Sequence, residues 1–404
     1  MIRMIIFDDD QGSFGPMTHL RASFELRTGM LTTAGRLAAW REKTLAGYWV
    51  PEHLREVVAE RANAPVNVML EEEEIICANG RWALPEKGLD LQLGEALLEA
   101  ETGHLIVAHL RRADAELLLT KGILNERVNV HRREDRSLYQ YPWDILDRLP
   151  VTLTHDILSN RILDAKVLTN MTPVVGENPV EVHTTALLSP NVVFDATNGP
   201  IKIHEGAVIR PGVVLCGPCA IGSGTTIVDQ CVIKSNTSIG PLCKVGGEVG
   251  GTIFQGCSNK AHEGHLGDSW LGKWVNLGAG TTNSNLLNTY GEVSMRLDAN
   301  DSRHRTGRQF MGAIVGDHVK TAIGTRIMTG TTIGTGAMIA SSTPPPDLVE
   351  PFTWLTDDGK RKYRFNKFVD VMTTVMARRD RTPGVAYVKR LEELHNQGAT
   401  DSEA

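Results

Sequence analysis

The sequence predicts an α/β domain followed by a parallel β-helix with a helical tail, and three observations carry that reading. An aliphatic residue recurs at every sixth position from 203 to 245. Glycine is abundant (39 of 404 residues) while aromatic residues make up only 5%, a composition suited to thin stacked coils with tight corners. The first 150 residues lack the six-residue phase and mix short apolar runs with helical spacing, as an α/β domain does.

Taken in order, Met4–Phe7 reads as the first strand, ending at Asp8-Asp9-Asp10. Val66–Leu70 and Leu105–Ala108 read as further strands; Ala34–Glu42, Leu91–Ala100 and Arg111–Leu119 read as helices. Residues 151–190 read as a helical arm capped by Thr154. The repeat then runs Ile203, Ile209, Leu215, Ile221, Ile227, Ile233, Ile239, Val245. Period six fits neither an α-helix nor one long strand. Three units of a strand and a corner close a coil of about 18 residues, and coils stack about 4.8 Å apart with their aliphatic ladders inside. The phase returns at Leu271 and Leu277, and again at Val315, Ile327, Ile333 and Ile339. Cys216 and Cys219 have redox or zinc spacing, but no second such pair exists. Vertical stacking needs a separation of about 18, so the twelve-residue spacing of Cys219, Cys231 and Cys243 puts them on different faces, as structural cysteines. Pro344-Pro345-Pro346 ends regular pairing, and helical stripes follow at Phe365, Phe368, Met372, Met376 and at Val385, Val388, Leu391, Leu394. The expected divisions are 1–150, an arm at 151–190, the β-helix at 191–345, and a tail at 346–404.

Charge and composition narrow the function classes. A net charge of −6 gives no footprint for nucleic acid. No apolar run approaches the roughly 20 residues of a membrane span, and early acid argues against a signal peptide. Six cysteines in 404 residues point to a reducing cytoplasm.

Polar sequence interrupts the ladder between 251 and 312. It begins Ser258-Asn259-Lys260-Ala261-His262-Glu263-Gly264-His265-Leu266-Gly267-Asp268 and continues Val275-Asn276-Leu277-Gly278-Ala279-Gly280-Thr281-Thr282-Asn283-Ser284-Asn285. A solenoid gains no stability from such side chains, so they read as a site. The segment resembles the acetyltransferase domain of the GlmU-type bifunctional enzymes, which make UDP-N-acetylglucosamine, and the match covers roughly 190–345. The whole chain resembles a divergent, GlmU-like sugar nucleotidyltransferase branch. The resemblance implies a left-handed β-helix, a homotrimer, and acetyl-CoA as cosubstrate for N-acetylation of an amino-sugar 1-phosphate. It implies His262 as general base, a role that suits an imidazole near neutrality. Asn276 would hold the amine or the developing oxyanion, Asn285 and Lys234 would contact the sugar phosphate, and Ala279 and Ser341 would contact the coenzyme. Two departures concern the acceptor: Leu286 stands where the family has tyrosine, and Gly246–Gly256 is two residues short and lacks paired lysines.

At the front, the family's Gly-x-Gly-Thr-Arg-Met loop is missing. Pro16-Met17-Thr18-His19-Leu20-Arg21-Ala22-Ser23-Phe24-Glu25-Leu26-Arg27-Thr28-Gly29 resembles the divergent branch's signature instead, as does Tyr141-Pro142-Trp143-Asp144. Nucleotidyl transfer would then place Arg21 and Arg27 on triphosphate oxygens and Asp9 or Asp144 on Mg²⁺. Structural roles compete with each: an acid partner for Arg27, a helix cap for Asp144. From the residues alone, Arg296, Arg303, His304, Arg305 and Arg308 form a basic loop beside the proposed coenzyme cleft, with Arg303 and Arg305 offered to its phosphates. Two other readings stay open: a zinc site of the carbonic-anhydrase type on the same coil, and a non-catalytic trimerising platform that regulates the front domain.

Overall fold

The computed structural model describes residues 2–40, 44–163, 165–166 and 172–397. Parts of three sequence expectations fall outside these residues: 41–42 of the helix at 34–42, 164 and 167–171 of the arm, and 398–404 of the tail.

The front domain contains strands β1 (Arg3–Phe7), β2 (Leu45–Trp49), β3 (Glu74–Asn79), β4 (Glu95–Glu99), β5 (Leu105–Arg111) and β6 (Asn129–Arg133). They form one mixed sheet in the order β2-β1-β3-β5-β4-β6, with β1 parallel to both neighbours and β5 antiparallel to β3 and β4. Helices α1 (Thr33–Trp40), α2 (Glu52–Ala59), α3 (Arg112–Lys121) and α4 (Pro142–Ser159) accompany it. The last four residues of β1, Met4–Phe7, are buried, as a strand covered on both faces requires.

Two expectations here are corrected. The 91–100 segment is a strand rather than a helix: Gly94 takes a positive φ of 86°, and β4 pairs on both edges, with β5 and β6. Two ladders outweigh the helical preference of its Leu and Glu residues. Val66–Leu70 makes only an isolated bridge from Val66 to Tyr48. The arm also differs. Helix α4 starts at Pro142 and runs through Thr154, and coil strands already stand at Val174–Val175 and Val180–Val182.

From Val174 to Thr356 the chain is a parallel β-solenoid, interrupted by one antiparallel hairpin of Ser294–Met295 and His304–Arg305. One face stacks nine strands in strict order, from Val180–Val182 through Ile201–Ile203, Cys219–Ile221, Thr237–Ile239, Ile253–Gly256, Trp270–Lys273, Ala313–Val315 and Thr331–Ile333 to Leu348–Val349. The ladder from Ile203 to Val245 is at most 1% exposed throughout. The same register carries it onward: Val245 pairs with Lys260, and Ile239 with Phe254 and then Leu271. The six cysteines are all free.

The outward side of that nine-strand face is buried as well. Ala220, Ile253, Trp270 and Ile314 join Trp143, Leu146, Leu149 and Leu153 of α4 in one apolar cluster. Two ion pairs nearly withdrawn from solvent pin the junction. Arg36 clamps Asp156 of α4 at 2.8 Å through two nitrogens, and Arg21 pairs with Asp317 of the solenoid. Helices α5 (Phe365–Ala377) and α6 (Val385–Gln397) lay Phe368, Met372, Met376, Leu391 and Leu394 against Trp274 and Phe352. The tail stripes therefore cover the coil, as their spacing predicted.

Candidate active site

The polar segment lies on the solenoid's surface because its alternate residues point outward. Asn259 bridges Asn276 in the next coil, Asn276 bridges Lys320, and Lys320 pairs with Met338. Three residues further along each of these coils stand His262, Ala279, Ile323 and Ser341, which therefore form one column parallel to the solenoid axis. The Gly324 amide donates to the Ala279 carbonyl at 2.7 Å, as that alignment requires. His262 and Asn276 are exposed and Ala279 is half-buried; Ile323 is 80% exposed. The imidazole of His262 thus faces solvent from the corner directly next to Ala279, about one interstrand spacing away.

Close packing holds that corner. Gly264 has φ +113°, and a Cβ there would lie 2.3 Å from the Thr281 carbonyl; one on Gly278 would lie 2.6 Å from the Ala322 backbone. Only glycine lets these coils approach so closely. Behind the corner, Lys260 occupies the ladder position of an aliphatic residue. Its ammonium donates to the carbonyls of His262 (2.9 Å) and Gly246 (3.0 Å), and burial lowers its pKa to about 8. Lys320, in the neighbouring asparagine column, is lowered to about 8 by burial.

A second cluster lies one strand further on. Glu248 pairs with His265 across the ladder, with Nδ1 3.4 Å from the carboxylate, and also binds Lys234. The Asn285 amide donates to Asp268 at 2.7 Å, and Arg308 sits 3.2 Å from the same carboxylate. His265 and Asn285 converge above Gly267: a Cβ there would touch the former's Nε2 at 2.6 Å and the latter's amide at 2.7 Å. Lys234 and Asn285 thereby meet in one polar patch, to which the structure adds Glu248, His265 and Asp268. The stack offset of 17 residues between His265 and Thr282, against 15 between Val245 and Lys260, arises from coil shortening, so the regular period did not bring these residues together.

The remaining candidates are placed as follows. Ser341 is 7% exposed, and its hydroxyl donates to Asp357 at 3.0 Å. Arg303 pairs with Asp347 and Arg305 with Glu292 on the hairpin of Ser294–Met295 and His304–Arg305. Arg308 of the same loop bonds Asp147 of α4 as well as Asp268, so this loop docks on the front domain.

In the front domain, Phe7, Asp8, Asp9, Trp49 and His104 line a cleft of about 450 Å³ at the C-terminal ends of β1 and β2, the usual ligand position in such sheets. Asp9 is fully engaged: Arg81 donates twice to it, at 2.8 and 2.6 Å, and Asn79 once at 2.8 Å, with the Gln11 amide at 3.3 Å. Burial works against its charge, but Arg81 and Asn79 outweigh burial and hold its pKa below the usual range. Asp144 accepts the Gln140 and Tyr141 amides at 2.7 and 2.8 Å in a capping box. Asp9 therefore offers no open lone pair to Mg²⁺, and among the described residues no group of three His, Cys, Asp or Glu is arranged to hold a metal ion. Arg21 is committed to Asp317 and the Met17 carbonyl. Arg27 bonds the Met30 carbonyl, its Nε has no partner, and no acid pairs with it among the described residues. No helix among the described residues is long and apolar enough to cross a membrane.

Residues 4–161 match the family model for sugar nucleotidyl transferases. The "Bifunctional protein GlmU" of Nostoc sp. is 26% identical over 258 residues, covering 58% of this chain and 52% of that protein. The chain is similar to GlmU proteins over about half its length. The "Bifunctional sugar-1-phosphate nucleotidylyltransferase/acetyltransferase" of Sulfurisphaera tokodaii is 35% identical over 92 residues, 23% of this chain and 22% of that one. This GlmU-like chain thus spans about half or less of these curated relatives' length. Among solved structures, the acetyltransferase domain of PglB from Neisseria gonorrhoeae aligns at 13% identity and a TM-score of 0.19, over 66% of this chain and 98% of that one.

Proposed function

We propose that the solenoid is an acetyl-CoA-dependent N-acetyltransferase acting on an amino-sugar 1-phosphate, with nucleotidyl transfer by the front domain as its second activity. The column of His262, Ala279, Ile323 and Ser341 carries the first part, because it sets an exposed base beside the small residue Ala279 of the next coil. Acetyl-CoA would supply the activated acetyl group. The incoming amine attacks the thioester carbon, the C–S bond breaks, and His262 takes the proton the amine sheds. A positioned base of this kind contributes about 10²–10⁴ in rate. Asn276, on the coil of Ala279, would donate to the developing oxyanion. Lys234, His265 and Asn285 supply donors for the acceptor's hydroxyls and phosphate. A homotrimer in the cytoplasm fits this reading: a second copy against the column would cover Ile323.

Purified full-length protein is offered glucosamine 1-phosphate with acetyl-CoA while free thiol is followed. Turnover that falls at least 100-fold in His262→Ala, with the melting temperature unchanged, supports the reading. Equal turnover in the variant refutes it. N-acetylglucosamine 1-phosphate with each NTP and Mg²⁺, followed by pyrophosphate release, tests the front domain. The same columns carry no third histidine beside His262 and His265, so stoichiometric zinc in the purified protein is the result that would favour the metalloenzyme reading.

A further inference from the structure

A cleft of about 880 Å³ opens where the front domain, the solenoid and the tail meet, and its lining does not include His262 or the strand-end residues Asp8 and Asp9. Its charges do not balance. Arg21 is matched by Asp317 and Arg61 by Glu25. Glu60 is spent on the backbone amides of Ala386 and Tyr387, at 2.9 and 3.1 Å, where it caps α6. That leaves Arg27, Lys273 and Arg381 lining the cleft with no carboxylate at ion-pair distance among the described residues. Burial lowers the pKa of Lys273, and the nearby Arg21 and Arg61 lower it further; burial lowers that of Arg27 too. Arg381 is exposed, but Arg27 and Lys273 are half-buried, and half-buried cations without a counter-charge cost folding free energy, so an anion from outside is their natural complement. The walls also carry flat rings: Phe24 and Tyr48 stack at 4.9 Å and 17°, with Trp274 and Tyr387 across the tail side.

We propose that this junction is a binding site for a phosphorylated, ring-bearing metabolite of nucleotide size, its phosphates held between Arg27 of the front loop and Lys273 of the solenoid. The volume suits such a ligand. Lys273 is anchored for the task, since its backbone amide donates to Asp317 at 2.8 Å, the same carboxylate that holds Arg21. The bound ligand would therefore touch both halves of the chain at once, a place distinct from the strand-end cleft and from the His262 column.

Isothermal titration of the full chain with UDP and with inorganic pyrophosphate tests the assignment. Lys273→Gln and Arg27→Gln are each expected to weaken UDP at least tenfold, and Lys273→Arg to retain it. Pyrophosphate is expected to compete with UDP. Without ligand, Lys273→Gln is expected to melt no lower than the parent, since it removes an unmatched charge. Affinity unchanged in both glutamine variants, no binding of either probe, or a lower melting temperature for Lys273→Gln overturns the proposal. The acetyl-transfer assay with His262→Ala is independent of all these outcomes.

Discussion

Replacing Lys260 by methionine exchanges a buried ammonium for an apolar chain of similar length at a ladder position. Lys260 is 2% exposed, so solvent screening does little for it. Its pKa falls from the usual 10.5 to about 8 through burial. A lysine depressed on folding loses its proton from the native state first. Native stability therefore rises as pH climbs from about 8 towards 10.5, where the unfolded chain follows. Between pH 7 and pH 9.5 the linkage relation gives a gain of about 2 kcal/mol for the parent chain that the methionine variant lacks. Other groups that titrate in that range, Lys320 among them, are common to both chains and cancel in the comparison. Urea unfolding of both proteins at the two pH values, followed by tryptophan fluorescence, measures the difference. A parent-minus-variant difference that stays constant across that range would show that Lys260 is not held in a dry interior. The same substitution removes two hydrogen bonds, to the carbonyls of His262 and Gly246, so it should also lower acetyl transfer more than it changes stability at pH 7.

Other expectations follow from the same arguments. Asp317→Asn leaves Arg21 buried without its counter-charge and should cost about 3–5 kcal/mol in chemical unfolding; a loss below 1 kcal/mol would mean that water reaches the pair. Burial lowers the pKa of His318 to about 3, so between pH 6.5 and that value only the unfolded chain takes the proton and stability falls with pH. At pH 5 the loss is about 2 kcal/mol relative to pH 7, and His318→Gln should lessen the drop in melting temperature by a matching amount. Arg303 and Arg305 are already matched by Asp347 and Glu292. Changing both to serine should leave the KM for acetyl-CoA within twofold, and a tenfold rise would return them to the coenzyme's phosphates.

The sequence determined the solenoid because its signal is periodic: an inward aliphatic residue every six positions has no other way to be buried, and all eight residues from Ile203 to Val245 are. It also marked the tail's packing stripes and the polar interruption that holds His262. What it left open depends on coil length. Shortened coils shift the register, so Lys260 enters the ladder and Glu248 meets His265, and neither position follows from a period of six. The front domain was less legible because its strands obey partners rather than local preference, as the 91–100 segment shows by pairing on both edges. Arg21, Arg27 and Asp9 were visible as charged residues near a signature. Only the tertiary structure decided which of them is matched, Arg21 by Asp317 and Asp9 by Arg81, and which is left facing a cleft without a counter-charge. Pairing of charges is a property of distance in space, and residues 21 and 317 come together only when the chain has wound its coils beside the sheet.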